Sequence, residues 1–274
     1  MSKVWFVTSS SRGIGRAVVE AALAAGASVV ATARKPEHLE DLVTKHGDRL
    51  LPLALDVTDN DAVLRSVRAG HERFGRIDVV VNNAGYGDIA AIEDVTVESF
   101  RAQMETNFFG VVYVTKALLP ILRDQRRGHI FQISSLGGRI GSVGLAAYQS
   151  TKWAVGGFST GLAQEVAPFG IKVTVLEPGG IRTESAGSSM TIPPISELYQ
   201  QTVGQFATFL RGYHGQEPSD PRKVAELMLS LANREDPPLR LLIGPDAVDY
   251  AGKAAEALAE SDKKWRDVSV STAG

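Results

Sequence analysis

The chain has 274 residues, 44% of them hydrophobic, which is enough for one globular domain with a full core. Its net charge is -2 and its lysines and arginines are spread along the sequence, so neither nucleic acid nor an anionic membrane is an expected partner. The sequence contains no cysteine, which excludes disulfides, thiolate catalysis and cysteine metal ligands.

Short β-branched runs alternate with helical patterns from the N-terminus onward. Helices are predicted from Gly15 to Ala25, over a long segment ending near Leu122, and from about Ala147 to Val166. Strands are predicted at VWFVTS, SVVATA, DVVVNNAG, HIFQIS, KVTVLEPG and, at residues 239–244, LRLLIG. This alternation predicts βαβ units around a parallel sheet, and runs such as VVV suit strands that are buried between two helical layers.

Two segments depart from the alternation. Residues 185–220 are irregular, and a long irregular insertion in a compact domain predicts a substrate lid. Residues 262–274 are polar and are predicted to be a loose C-terminal tail. The N-terminus has no signal-peptide pattern and no 18-residue apolar run occurs, so the expected location is cytoplasmic and no membrane span is expected.

The first strand leads into the glycine-containing turn TSSSRGIG, which opens a helix. A helix N-terminus offers unpaired N–H groups, and glycines let a pyrophosphate approach, so this turn predicts a dinucleotide site. A plain tight turn is the alternative. After the second strand, Thr32 and Ala33 stand where NAD-binding proteins place an acidic residue, and Arg34 follows. With Arg12 in the turn, two cations favour NADP(H). NAD(H) remains the alternative, in which Arg34 only solvates a loop.

Tyr148 and Lys152 are four residues apart in YQSTK, and Ser135 lies thirteen residues before the tyrosine. Residues with this spacing share one helix face. A lysine cation at roughly 4 Å would contribute about 4 kcal/mol at an effective dielectric near 20, which lowers the pKa of a phenol. The three residues therefore predict proton transfer at a carbonyl oxygen. An ordinary exposed helical pair is the alternative for any lone YxxxK.

Five separated motifs together resemble the short-chain dehydrogenase/reductase family over most of the chain. They are TSSSRGIG, NNAG at 82–85, the asparagine of METNFFG, the serine, tyrosine and lysine set, and PGGIRT at 178–183. The resemblance implies a single NAD(P)-binding domain over residues 1–274, with a Rossmann-type, doubly wound parallel sheet in three αβα layers. TKWAVGGFS and EPGG are similar to the hydroxysteroid and retinol dehydrogenase side of the family.

The resemblance also implies roles for individual residues. Tyr148 would be the general acid or base, Ser135 would bind the substrate oxygen, and Lys152 would bind the nicotinamide ribose and lower the pKa of the tyrosine. Asn107 would hold a water through its main chain; a cap of a kinked helix is its alternative. The implied cofactor-binding residues are Thr8, Ser9, Ser11, Arg12, Gly13, Ile14, Gly15, Arg34, Asp56, Val57, Asn83, Ala84, Gly85, Tyr148, Lys152, Pro178, Gly179, Ile181 and Thr183. Capping of the following helix is the alternative for Asp56.

Ser9 departs from the family pattern, which has glycine there. If this position has a positive φ, serine would be disfavoured by about 1–2 kcal/mol relative to glycine. The alternative is that the turn relaxes around the serine.

The resemblance places substrate contacts after the serine, around the tyrosine and after PGGIRT. The candidate pocket residues are Leu136, Gly137, Ile140, Val143, Gly180, Ile192, Phe206 and Phe209. Their apolar character predicts a small hydrophobic carbonyl or alcohol as substrate, although Phe206 and Phe209 have the spacing of core residues. The histidines have no metal spacing, so no metal is predicted.

The predicted reaction is NADP(H)-dependent reduction of a ketone or aldehyde, or its reverse, by a homodimer or homotetramer. The alternatives are the same chemistry with NAD(H), a non-catalytic NADP-binding redox sensor, and an epimerase or dehydratase, which usually has a larger C-terminal part than the residues that follow PGGIRT here.

Overall fold

A computed structural model describes residues 2–183 and 190–273. Among these residues a seven-stranded sheet has the order β3-β2-β1-β4-β6-β7-β9, and every neighbouring pair is parallel. The strands are β1 (Val4–Val7), β2 (Ser28–Ala33), β3 (Leu50–Ala54), β4 (Val79–Asn82), β6 (Gly128–Ile133), β7 (Ile171–Pro178) and β9 (Arg240–Ile243). Two short strands, β5 (Gly87–Asp88) and β8 (Met190–Thr191), pair separately in parallel. The order reverses at β1, and the predicted doubly wound sheet is confirmed.

Helices cover both faces of the sheet. In chain order they are α1 (Gly13–Ala24), α2 (Glu40–His46), α3 (Asn60–Phe74), α4 (Val97–Met104), α5 (Gly110–Gln125), α6 (Ala146–Val166), α7 (Gln205–Tyr213), α8 (Pro221–Leu231) and α9 (Pro245–Val270). One apolar cluster lies between the sheet and the layer of α1 and α8, and the other lies between the sheet and the layer of α3, α5 and α6. These two clusters form the core of a three-layer αβα domain. In the described part of the chain no helix is both long and apolar enough to span a bilayer.

The sequence patterns missed β3, whose residues LLPLA include Pro52. Proline cannot donate a ladder hydrogen bond and is confined to edge strands. β3 is the edge strand of the sheet, where it pairs with β2 alone. Pro52 is therefore compatible with its edge strand, although a proline in the sequence argues against predicting a strand there.

The predicted loose tail at 262–274 is wrong for most of its length, because α9 continues to Val270. The segment from Glu256 to Val270 has good helix formers and contains neither glycine nor proline. The polar residues that predicted a loose end instead form one side of this helix.

The predicted lid at 185–220 is more regular than its sequence indicated. Residues 185–189 lie outside the described residues, and the remainder includes β8, a turn of π-helix at Gln200–Gly204 and α7. Val203 and Ala207 pack with Ile89 and Ala91 in a third apolar cluster. This segment therefore has its own small core beside the carboxyl end of the sheet.

The buried side chain of His129, in β6, should make the stability of the fold sensitive to acid. Its Nε2 lies 2.9 Å from Thr174 Oγ1, its Nδ1 is buried without a partner among the described residues, and burial, with Lys172 and Lys3 nearby, lowers its pKa to about 3. The unfolded chain binds this proton near pH 6.5 and the folded chain does not, so stability is lost as the pH falls from about 6.5 towards 3. At pH 5 we expect this histidine to lower the free energy of unfolding by about 2 kcal/mol.

Urea unfolding at pH 7 and pH 5 would measure this loss. In the variant His129→Gln the loss between the two pH values should shrink by about 2 kcal/mol, because the titrating group is gone. An equal loss in both proteins would contradict the prediction.

Candidate active site

Tyr148 and Lys152 lie one turn apart near the start of α6. Lys152 is only 4% exposed, its Nζ donates a hydrogen bond to Ile133 O at 2.9 Å, and Nζ lies 5.5 Å from the centroid of the Tyr148 ring. Ile133 is the last residue of β6. The end of a central strand therefore holds the lysine in place beneath the tyrosine.

Ser135 follows β6 directly and caps a short 3₁₀ turn at Leu136–Gly138. Its Oγ accepts a hydrogen bond from Gly137 N at 3.0 Å, and its side chain lies near enough to the phenol of Tyr148 to act on that group's pKa. The structure thus brings together the serine, tyrosine and lysine that the sequence singled out.

Burial sets the direction of the pKa shift of both Tyr148 and Lys152. Burial raises the pKa of Tyr148 above its ordinary value, and the neighbouring Ser135 side chain acts in the opposite direction. Burial lowers the pKa of Lys152 to about 8. Lys152, whose ammonium donates to Ile133 O, is not among the causes of the Tyr148 pKa shift, so the lowering of the tyrosine pKa by the lysine stays a prediction.

Asn107 lies in a turn of π-helix at Glu105–Phe109, between α4 and α5. Its Nδ2 donates to Tyr86 O at 2.7 Å and to Thr151 Oγ1 at 3.1 Å, and its Oδ1 accepts from Tyr86 N at 3.0 Å. Such π-turns often occur at functional sites. The side chain therefore fixes the chain after β4 against α6, and it does not cap a helix end.

Two glycines after β4 pack directly on Asn107, Lys152 and Tyr148. A Cβ on Gly85 would lie 3.3 Å from Asn107 Oδ1 and 3.4 Å from Lys152 Nζ. A Cβ on Gly87 would lie 2.8 Å from Tyr148 Cδ2, closer than real Cβ atoms come. Gly87 was missed by the sequence interpretation, and its only signal is the second glycine of NNAGYG.

The glycine turn begins α1 at Gly13, two residues earlier than predicted. Gly13 has φ +55°, and a Cβ on Gly15 would meet the carbonyl oxygen of Ser9 and the side chain of Asn83. Arg12 provides no side-chain cap, and the first turn contains no acidic residue. The amides of this turn therefore suit an anion, which the dipole of the helix also favours.

Thr8 and Asn83 hold the ends of β1 and β4 together. Thr8 Oγ1 accepts hydrogen bonds from Asn83 N at 2.9 Å and from Ala84 N at 3.1 Å, and Asn83 Nδ2 donates to Ser9 O at 3.0 Å. In this structure these four candidate cofactor residues are joined by hydrogen bonds and shape the base of the glycine turn.

One cavity of about 890 Å³ connects the glycine turn with the tyrosine. Its wall contains these predicted cofactor and catalytic residues: Ser9, Arg12, Gly13, Ile14, Asn83, Gly85, Ser135, Tyr148, Lys152, Pro178, Gly179, Ile181 and Thr183. All the predicted substrate residues line the same cavity except Val143, which is 48% exposed. Outside this wall lie Thr8, Ser11, Gly15, Arg34, Asp56, Val57, Ala84 and Asn107.

Several wall residues were missed by the sequence interpretation. They are mainly apolar or aromatic, and they come from loops, from the lid and from α9: Ile89, Leu145, Met190 and Tyr250. Asp246, near the start of α9, also lines the cavity, and its Oδ2 accepts a hydrogen bond from Gly180 N at 2.7 Å. Nothing in the local sequence indicates these positions, because only the tertiary fold brings them to the site.

The expected adenosine end lies at the exposed edge of the site. Arg34 is exposed just after β2, and no hydrogen bond or ion pair among the described residues involves it. Asp56 Oδ1 accepts hydrogen bonds from Thr58 N at 3.0 Å and Thr58 Oγ1 at 2.8 Å. The alternative in which Asp56 caps α3 is wrong, because the cap is Asp59, whose Oδ1 accepts from Ala62 N at 2.9 Å. Within the described residues no three acidic or histidine side chains form a metal-binding group.

Comparison with known proteins agrees with this geometry. The family profile described as short chain dehydrogenase matches residues 3–191. The chain is 65% identical to oxidoreductase BOA17 of Botryotinia fuckeliana, over all of both chains. It is also similar to a solved short-chain dehydrogenase from Streptomyces avermitilis, with 39% identity, a TM-score of 0.95 and full coverage of both chains.

Two further solved structures are complexes with a nicotinamide dinucleotide. One is the closed form of serine dehydrogenase with NADP+ (26% identity, TM-score 0.77, 88% of this chain and 94% of that one). The other is a 3-ketoacyl-(acyl-carrier-protein) reductase from Brucella melitensis with NADH (26%, TM-score 0.74, 88% and 96%). The predicted resemblance is confirmed: the chain belongs to the short-chain dehydrogenase/reductase family and is an oxidoreductase.

Proposed function

We propose that this protein uses NADP(H) to reduce the carbonyl group of a small hydrophobic ketone or aldehyde, or to catalyse the reverse oxidation. The observation that carries the proposal is that Ser135, Tyr148 and buried Lys152 line the same cavity as the glycine turn. The apolar wall, which includes Leu136, Ile140 and Ile192, supports a hydrophobic substrate.

The residues present fit a nicotinamide dinucleotide. The uncapped amides of the first turn of α1 suit its diphosphate. Thr183 lies over that turn, since a Cβ on Gly13 would be 3.4 Å from Thr183 Cγ2. Between these segments and Tyr148 the cavity is continuous. When bound, the cofactor supplies or accepts the hydride.

Ser135 and Tyr148 can reach one substrate oxygen, because both line the same cavity and the Ser135 side chain lies near enough to the phenol to act on its pKa. In this mechanism the Ser135 hydroxyl donates a hydrogen bond that stabilises the charge developing on the carbonyl oxygen. The Tyr148 phenol donates its proton to that oxygen as the alcohol forms. Lys152 is cationic below about pH 8 and stabilises negative charge left on the phenol.

The protonation state of Tyr148 favours reduction over oxidation. Since burial raises the pKa of Tyr148, the phenol carries its proton at neutral pH and is ready to donate it. The reverse oxidation requires that proton to leave first, so we expect it to need more alkaline conditions.

Arg34 supports the choice of NADP(H), because an exposed guanidinium at the end of β2 suits a 2′-phosphate. We expect Arg34→Asp to raise the Kd of NADPH by about 10–100-fold, the effect of a charged hydrogen bond, while the Kd of NADH changes little or falls. Calorimetric titration of both cofactors would measure the ratio, with Lys45→Asp on α2 as a charge-matched control. If the ratio of the NADPH Kd to the NADH Kd stays unchanged in Arg34→Asp, NAD(H) is favoured as the cofactor.

Ser9 has a φ of +51°, so the turn has not relaxed around this serine. Replacement by glycine removes strain of about 1–2 kcal/mol and the side chain from the cavity wall. We expect Ser9→Gly to tighten NADP binding by up to about tenfold. Ser11→Gly is the matched control, because Ser11 lacks a positive φ. A Kd that stays unchanged in Ser9→Gly by calorimetry would refute the prediction.

A screen of NADPH and NADH consumption against aldehydes, ketones and steroid-like ketones would test the proposal as a whole. Turnover with at least one carbonyl compound and a preference for NADPH are expected. Tight NADP binding without turnover on any substrate would instead favour a redox sensor, the second candidate. That reading leaves unexplained why a sensor would keep Tyr148, Ser135 and Lys152 together in one cavity.

The remaining parts of the proposal concern the protein in the cell. We expect a homodimer or homotetramer with a cytoplasmic location. Sedimentation of the purified protein and fractionation of the source cells would test these two expectations.

A further inference from the structure

Asp246, the second residue of α9, lies against the PGGIRT segment, residues 178–183, where β7 ends. Its Oδ2 accepts a hydrogen bond from Gly180 N at 2.7 Å. A Cβ on Gly179 would lie 2.6 Å from Oδ1 of the same carboxylate, closer than real Cβ atoms come. Asp246 also lines the cavity. Its carboxylate therefore packs directly on two consecutive glycines of the cavity wall.

The PGGIRT segment spans the stretch of cavity between the serine and the glycine turn. It starts beside Ser135, because β7 pairs with β6 and Ser135 follows β6. It ends at the glycine turn, where a Cβ on Gly13 would be 3.4 Å from Thr183 Cγ2. In the proposed function the diphosphate binds at this turn and the hydride is transferred beside Tyr148. The nicotinamide ring would then lie along the PGGIRT segment, on which Asp246 packs.

The negative charge of Asp246 is not balanced by a neighbouring cation. Within residues 2–183 and 190–273 no ion pair involves it, and its Oδ1 is buried without a hydrogen-bond partner. Burial, and then the charges of Asp246 and Glu217, raise the pKa of the Tyr213 phenol in the cavity wall, so the charge acts within the cavity. A buried carboxylate oxygen without a counter-charge is costly, and a cation in the cavity would offset that cost.

The two forms of the cofactor differ in charge at the nicotinamide ring, which is cationic in NADP+ and neutral in NADPH. We propose that Asp246 is a positioning residue for the PGGIRT segment and that its charge favours binding of the oxidised cofactor over the reduced one. This inference rests on the proposed function, which places the ring along that segment. The same charge favours carbonyl reduction over alcohol oxidation, since reduction converts NADPH to NADP+.

Calorimetric titration of the full-length protein with NADP+ and NADPH tests the inference without measuring turnover. Asp246→Asn keeps an acceptor for Gly180 N and removes the charge, so the Kd of NADP+ should rise about three- to tenfold more than the Kd of NADPH. Asp249→Asn is the charge-matched control, because Asp249 is exposed on α9 and outside the cavity wall. The ratio of its two Kd values should equal that of the parent. If the protein prefers NAD(H), NAD+ and NADH serve as the pair.

A residue that only held the segment in place would, when replaced, weaken the binding of both forms by the same factor. An unchanged ratio in Asp246→Asn would therefore overturn the inference. Asp246→Ala also removes the acceptor, so it should weaken both forms and still raise the ratio; it decides the question if urea unfolding shows that Asp246→Asn folds poorly. A parent protein that binds neither form would refute the proposed function itself. A parent that binds both forms, with an unchanged ratio in the variants, would leave the proposed function standing.

Discussion

Replacement of Tyr148 by phenylalanine should lower turnover by about 10²–10⁴-fold, the usual contribution of a positioned acid or base. NADPH affinity should remain close to that of the parent, because the change removes one hydroxyl and leaves the ring packed on Gly87. Ser135 would keep its hydrogen bond from Gly137 N, so the substrate oxygen would still find one donor. Steady-state rates and calorimetric titration with NADPH measure the two effects separately.

Tyr113→Phe is the matched control for this experiment. Tyr113 is on α5, outside the cavity wall, and its hydroxyl donates to Glu105 Oε1 at 2.9 Å. The variant Tyr113→Phe loses a phenolic oxygen, as Tyr148→Phe does, but outside the site, so the turnover of this variant should equal that of the parent. Parent-like turnover of Tyr148→Phe on every active substrate would rule out the proposed role of Tyr148.

The parts of the fold that the sequence predicted are those with local signals. The apolar strands and the helices beginning at the glycine turn and near Tyr148 have strong periodicity, and their positions agree with the structure to within a few residues. The sequence patterns did not predict β3, because Pro52 interrupts its apolar run. They also did not predict the helical end of α9, because exposed helices can be as polar as loops. Neither feature is decided by local sequence alone.

The candidate site shows the same division between local and tertiary information. Ser135, Tyr148 and Lys152 were predicted because motifs carry them in a fixed order. The contact of Gly87 with Tyr148 and the hydrogen bond from Gly180 N to Asp246 join segments far apart in the chain. The direction of the tyrosine pKa likewise depended on burial, which no spacing reveals.

Glu177 is a further residue that only the structure identifies as important. It is fully buried near the end of β7, directly before Pro178. Arg139, in the segment after Ser135, lies 2.6 Å from Glu177 Oε2, and Arg240 in β9 donates to Glu177 Oε1 through Nε at 2.8 Å. Arg240 also donates to Gly138 O at 3.3 Å. One carboxylate therefore joins β7, β9 and the turn that follows Ser135.

We expect Glu177→Ala to lower the free energy of unfolding by about 3 kcal/mol. Removing one partner of a buried ion pair costs about 3–5 kcal/mol, and the lower end applies because each guanidinium side chain is about a third exposed. Urea denaturation measures this loss, with Glu165→Ala, an exposed position on α6, as the control. A loss as small as that of the control would contradict the prediction.

The cause of this loss can be separated from simple loss of packing. If two uncompensated guanidiniums destabilise Glu177→Ala, then removing their charge as well should recover stability, because apolar residues of similar size often replace a buried ion cluster without loss. The triple variant Arg139→Met, Glu177→Leu, Arg240→Met should therefore be more stable than Glu177→Ala. Its turnover should nevertheless stay below that of the parent, since Gly138 O loses its bond to Arg240 and the turn bearing Ser135 is held less firmly.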